Sequence, residues 1–159
     1  MTNKQALALG CGAVLLLVVA FLIAGVLFIL HASKDVDGMA FGVQGPADVV
    51  VGQNFQVDVV VTNQRPAKPL LVSDVDLGEV YLEGFSIVST TPPYKTSTHV
   101  PVDNSRSFNF DVTIPPGAHS NFTFTLRAEK PGLFRGDVDV CEGTRFTTGM
   151  AQTVVKEKP

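Results

Sequence analysis

The chain has 159 residues, a formal net charge of −3, 45% hydrophobic residues and only 17% charged ones. The length admits one ordinary domain and little more, the mild acidity leaves no electrostatic footprint for nucleic acid, and dense Val, Phe, Leu and Ile blocks exclude a disordered chain.

The charges are unevenly placed. Between Gln5 and Ser33 there is no Asp, Glu, Lys or Arg, while every acidic residue lies beyond Lys34. Ala6 to Leu30 is a continuous apolar run, predicted as a helix of about 37 Å at 1.5 Å per residue. A hydrocarbon core of about 30 Å could be crossed by such a helix, so residues 6–30 are expected to form a transmembrane helix. The competing reading is a cleaved signal peptide, with His31-Ala32-Ser33 as its end, but the apolar core of such a peptide runs only about 7–15 residues. A lipoprotein signal at Cys11 is rejected, because the apolar run follows the cysteine instead of preceding it. Lys4 lies before the run, and Lys34 is offset by Asp35 and Asp37. That asymmetry predicts a cytoplasmic N-terminus and a C-terminal domain outside the cytoplasm, periplasmic or extracellular, in a single-pass cell-membrane protein.

Along this helix Ala6, Gly10, Ala13, Ala20 and Ala24 fall on one face together with Leu17. Small residues let helix backbones approach in lipid, so the stripe is a candidate helix-packing face for a membrane protein partner. His31 to Gly38 follows as a short connector reaching at most about 28 Å. The expected organisation is 1–5 as an N-terminal tail, 6–30 as the helix, 31–38 as linker, 39–155 as the folded domain and 156–159 as tail.

From Met39 onward apolar and polar residues alternate at period two, the pattern of half-buried strands. Phe55, Val57, Val59 and Val61 share one face. The same holds for Phe108, Phe110, Val112 and Ile114, for Phe122, Phe124, Leu126 and Ala128, and for Phe134, Gly136, Val138 and Val140. A last strand is predicted over 145–155, and less regular ones over 39–44, 48–51, 70–76 and 85–89. Val51-Gly52-Gln53-Asn54, Pro115-Pro116-Gly117, Lys130-Pro131-Gly132 and Glu142-Gly143 supply turn chemistry between them. Pro66 and Pro69 suggest an edge position for the strand that follows them. The sum is an all-β, immunoglobulin-like antiparallel sandwich of about seven to nine strands over about 120 residues.

Two runs carry a resemblance. PADVVVGQNFQVDVVVTN and IPPGAHSNFTFTLRAEKPGLFRGDVDV resemble bacterial immunoglobulin-like domains of the cell-adhesion-related, CARDB-like type. The likeness covers most of residues 45–155. It implies an extracytoplasmic accessory or adhesive module and carries over no catalytic residue.

Residues with chemical potential are scattered. Cys11 and Cys141 belong to different segments and are not expected to pair. On the alternation Cys141 falls on the outer face, where an intermolecular disulfide is one reading and an inert thiol the other. His31, His99 and His119 show no ligand spacing, so no metal site and no cofactor are expected. Asp74, Asp76, Glu79 and Glu83 form the densest acidic stretch. Asp74-x-Asp76-x-Gly78 superficially resembles a calcium loop but lacks its closing glutamate, so the two aspartates are expected to face solvent together. Arg135-Gly136-Asp137 lies inside a predicted strand, which does not suit integrin-type recognition, and Asn121-Phe122-Thr123 is a glycosylation sequon.

No catalytic constellation emerges. The expectation is a non-catalytic protein that binds or scaffolds a partner at the membrane surface, as an accessory subunit of a membrane protein complex. A cell-surface adhesion or ligand-binding module is the alternative; repeated sandwiches or an aromatic-lined groove would favour it, and this chain offers only one sandwich and no Trp. A small hydrolase or metal-dependent enzyme is the reading from another class, and it requires convergent polar residues in a pocket.

Overall fold

Period-two alternation and turn residues resolve into ten strands in the computed structural model, which describes residues 3–32 and 35–158, with side chains in the N-terminal helix described at 14 and 16–29. The chain divides into two units, residues 1–34 and 35–159.

The first unit is helix α1 (Asn3–Ala32). No proline interrupts it, and its apolar side chains from Val14 through Ile29 are exposed wherever they are described. Among the described residues no helix is long and apolar enough to cross a membrane. The fold-class expectation is corrected accordingly: the chain is an all-β sandwich with α1 before it, and the transmembrane assignment of 6–30 is withdrawn. Of the small-residue stripe, Ala20 and Ala24 are exposed, whereas Ala6, Gly10 and Ala13 lie outside the described side chains.

The second unit is built from β1 (Met39–Gln44), β2 (Asp48–Val50), β3 (Asn54–Asn63), β4 (Leu70–Gly78), the short helix α2 (Glu79–Leu82), β5 (Phe85–Thr91), β6 (Thr96–Val100), β7 (Ser105–Ile114), β8 (His119–Ala128), β9 (Gly132–Glu142) and β10 (Arg145–Lys156). One sheet has the order β1-β3-β8-β5, the other β2-β10-β9-β4-β7-β6. All pairings are antiparallel except that of β2 with β10.

The inner faces are those the alternation predicts. Phe55, Val57, Val59 and Val61 of β3, and Phe122, Phe124, Leu126 and Ala128 of β8, are buried against Val75 and Leu77 of β4, Phe108 and Phe110 of β7, and Val138 and Val140 of β9. Phenylalanines join the layers edge to face: Phe110–Phe122 at 4.9 Å, Phe108–Phe124 at 5.3 Å and Phe85–Phe134 at 5.2 Å between ring centroids. Each such pair adds about 0.5–1.5 kcal/mol beyond the area it buries.

Three features depart from the alternation. Strand β6 is extra, because Thr-Ser-Thr-His-Val has almost no apolar alternation to betray it. Strand β4 is not an edge: it lies between β9 and β7, and Pro66 and Pro69 precede its first residue, where they remove no ladder donor. The folded unit also starts before β1. Val36 is buried, and its N–H donates to Thr147 Oγ1 at 3.0 Å.

Polar groups inside the sandwich are matched. Asn63, fully buried, donates from Nδ2 to the carbonyls of Lys68 and Ile114, each at 2.9 Å, and accepts the Arg65 N–H at 3.0 Å. Its own backbone exchanges bonds with Ala118 and Gly117. The loops after β3 and after β7 are thus tied together by one side chain. The Tyr81 hydroxyl shares a 3.1 Å hydrogen bond with Thr153 Oγ1.

Candidate binding cleft

The chain leaves one sheet at the end of β5 and enters the other at β6, through Pro92, Pro93 and Tyr94. Both are edge strands, on the same flank of the sandwich. The sheets part there around a cleft of about 540 Å³, within the range of ordinary ligand sites. Its floor is apolar: Leu82 from α2, Phe85 and Ile87 from β5, and Phe108 from β7. Tyr94 stands at the mouth, 41% exposed, with its ring edge-on to Phe108 at 5.4 Å.

The rim is polar. Ser97 pairs with Phe108 and His99 with Arg106 in the β6–β7 register, so Ser97, His99 and Arg106 turn toward the inter-sheet side where an apolar residue is the rule. They remain solvated because the opposing sheet ends at β5. Glu79 Oε1 accepts Arg106 Nε at 3.1 Å and lies 3.3 Å from His99 Nδ1. Beside the exposed Tyr94 ring and half-buried Ile87, this near-neutral polar rim can take an apolar side chain or ring while bonding to polar groups at its edge.

The residues singled out in the sequence are distributed elsewhere. Glu79 alone of the acidic stretch reaches the cleft. Asp74 and Asp76 lie on the outer face of β4, opposite Cys141 and Asp139 of β9. They do not simply face solvent: at the centre of a six-stranded sheet, neighbouring side chains shield them. Burial raises the Asp76 carboxyl above its ordinary pKa, with Asp74 and Asp139 adding to the rise, and burial likewise raises Asp139. Oδ1 of each is buried without a hydrogen-bond partner among the described residues. Among the described residues no group of three or more His, Cys, Asp or Glu side chains is placed to hold a metal ion.

Cys141 is buried, and burial followed by Asp76, Asp74 and Asp139 pushes its thiol well above the usual range. The structure thus favours the inert thiol over the intermolecular disulfide. Cys11 and His31 lie outside the described side chains. His99 and His119 are on different sheets. Arg135-Gly136-Asp137 sits within β9, where Gly136 is required by Tyr81: a Cβ there would lie 2.8 Å from the Tyr81 Cβ. In the sequon, Asn121 and Thr123 both donate to Asp58 Oδ1.

A second polar cluster lies at the opposite end of β4. Arg65 binds Glu142 with two hydrogen bonds of 2.9 and 2.6 Å, and also donates to the carbonyls of Asp37 and Pro69. The paired guanidinium holds the Glu142 carboxyl below its ordinary pKa. All of its donors serve the fold, which gives this cluster a structural part.

Sequence reasoning missed Tyr94, Ser97, Arg106 and the cleft itself. The stretch Ser89 to Lys95 reads as a Ser/Thr/Pro loop, and nothing in it signals that two edge strands flank a gap between sheets.

No protein-family model matches the chain, and no curated protein matches it. Solved structures do. A cohesin module from a Clostridium perfringens family 33 glycoside hydrolase is 13% identical, with a TM-score of 0.54 over 76% of this chain and 98% of that one. The native Escherichia coli alpha-2-macroglobulin is 13% identical, with a TM-score of 0.51 over 77% of this chain, which spans only 7% of that molecule. A CARDB domain from Pyrococcus furiosus, in complex with di-metal ions, is 14% identical, with a TM-score of 0.43 over 78% of this chain and 94% of that one. At these identities the likeness to the first two, whose TM-scores exceed 0.5, concerns the fold alone. The domain after α1 is an immunoglobulin-like β-sandwich.

Proposed function

We propose that this protein is a non-catalytic binding module that holds a protein partner, as an accessory subunit of a larger complex, with the contact centred on the β5–β6 cleft. The observation that carries this reading is the cleft's construction. Tyr94, 41% exposed, and half-buried Ile87 offer anchoring area over a floor closed by the buried Phe85 and Phe108, and Glu79, Arg106 and Ser97 around them offer hydrogen bonds on one flank. Interfaces are dominated by such buried aromatic and arginine contacts. A photo-crosslinking amino acid at Tyr94, in the full chain within its producing cells, tests it. The expected result is a discrete adduct from position 94 and none from Gln56, on the outer face of β3. Equal adducts from both, or none from position 94, would overturn it.

The aromatic lining also favours a second reading, an adhesion or ligand-binding module in which the cleft takes a small ring-bearing ligand. A partner adduct that survives Ile87→Ala but is lost on Arg106→Glu would place the contact at the rim and exclude that reading.

A further inference from the structure

Met150 lies on the outer face of β10, between Gly149, which faces the Phe41 ring, and the buried Ala151. It is 46% exposed, whereas Met39 is 9% exposed. Met1 lies outside the described residues. In the β9–β10 register Met150 stands opposite Asp137 and diagonal to Arg135, which itself stands opposite Gln152. Diagonal neighbours on one face of a sheet are within reach of long side chains.

Arg135 uses that reach on sulfur. Its Nε donates to Met150 Sδ, and among the described residues it makes no ion pair. A thioether is a weak acceptor, while a guanidinium is a permanently charged donor with five N–H groups. A strong donor therefore rests on an atom that answers it poorly, and that atom is open to solvent.

We propose that Met150 is an oxidation site whose sulfoxide is held by Arg135. A hydroperoxide supplies the oxygen. The Sδ lone pair attacks the terminal peroxide oxygen, and the O–O bond breaks as the S–O bond forms. The proton on the transferred oxygen passes to the departing oxygen, which leaves as an alcohol, or as water from hydrogen peroxide. Sulfur is oxidised by two electrons and the peroxide is reduced by two. The new oxygen is the negative end of a dipole, so Arg135 gains a proper acceptor, and bonds with a charged donor are about twice as strong as neutral ones.

Methionine oxidation disrupts packing where the thioether is buried, and sulfoxide reductases reverse it. At Met150 little packing is at stake, and the guanidinium is already in place. The pair lies at a cavity of about 400 Å³ that Val80, Asp103 and Asp137 also line. Oxidation thus makes the lip of that cavity polar while the sheet beneath stays folded. The β5–β6 cleft has no part in this chemistry.

Hydrogen peroxide treatment of the full chain tests both claims, in nonionic detergent and in a Cys11→Ser background that removes a competing thiol. Peptide mass mapping is expected to show Met150 gaining one oxygen at least about tenfold faster than Met39, because oxidation follows exposure. The oxidised parent is expected to melt no lower than the reduced parent. In Arg135→Leu, which keeps an aliphatic stem and removes the donors, the same oxidation should lower Tm. Met150→Leu reports what oxidation at Met1 and Met39 contributes, and that change is subtracted from both. Equal oxidation rates at Met39 and Met150 would overturn the site. A corrected fall in Tm as large in the parent as in Arg135→Leu would overturn the role of Arg135.

Discussion

Replacing Asn63 with Ala removes a side chain that makes three hydrogen bonds while fully buried. The Ile114 carbonyl is itself buried, so losing its donor costs the desolvation of an unpaired acceptor, about 1–3 kcal/mol. The Lys68 carbonyl and Arg65 N–H are partly accessible and can turn to water, so each loses only the net value of a bond, about 1 kcal/mol. The sum is about 3–5 kcal/mol, and in a domain of this size each kcal/mol is worth about 4 °C, so Tm should fall by about 12–20 °C. Urea unfolding followed by circular dichroism should show a lower midpoint at an unchanged slope. Asn63→Asp serves as the internal check. Its carboxylate can still accept from Arg65 but cannot donate, and it buries a charge, so it should be at least as destabilised as Asn63→Ala at pH 7. A loss below about 1 kcal/mol for Asn63→Ala would refute the claim that this amide ties the two loops.

Two titrations should move stability in opposite directions. Glu142, held below its ordinary pKa by Arg65, contributes stability that is present above its unfolded value of 4.5 and is lost as pH falls through the lower folded value. Glu142→Gln should therefore be less stable than the parent at pH 7, by about 2 kcal/mol for a half-buried bidentate pair, with the gap closing in melts below pH 4.5. Asp76, raised chiefly by burial, binds its proton more tightly when folded, so its contribution is fully present below 3.8 and lost as pH rises through the folded value. Asp76→Asn should accordingly raise Tm at pH 7, and the gain should vanish as melts are taken below pH 3.8. Gly136→Ala should lower the unfolding free energy by about 1–3 kcal/mol, read as a lower urea midpoint, because the new methyl would meet Tyr81 at its Cβ and backbone nitrogen, and α2 must shift.

Much of the sandwich was legible because a strand's side chains alternate with period two, so one inward phenylalanine implies the next. Phe122, Phe124 and Leu126 needed no tertiary information to be placed on one buried face. The same rule found outer-face residues but not their environment. Asp76 and Cys141 point outward as the alternation requires, yet both are shielded because β4 and β9 occupy the middle of a wide sheet. The cleft could not be read at all. Its lining comes from Glu79, Phe85, Tyr94, Ser97 and Phe108, which share no periodicity.

By itself, the sequence determined that the domain is all-β and sandwich-like and named its inward faces, whereas its transmembrane assignment of 6–30 did not hold. Those are local properties, set by side-chain period, turn chemistry and the positions of charges. Tertiary structure alone decided strand order, and with it which strands are edges. It moved β4 from a predicted edge to the centre, added the polar strand β6 at an edge, and parted the sheets beside it. Edge and centre are relations between distant segments, and no local pattern encodes them. The candidate site lies at such an edge, because only there are backbone groups and inter-sheet side chains left for another molecule.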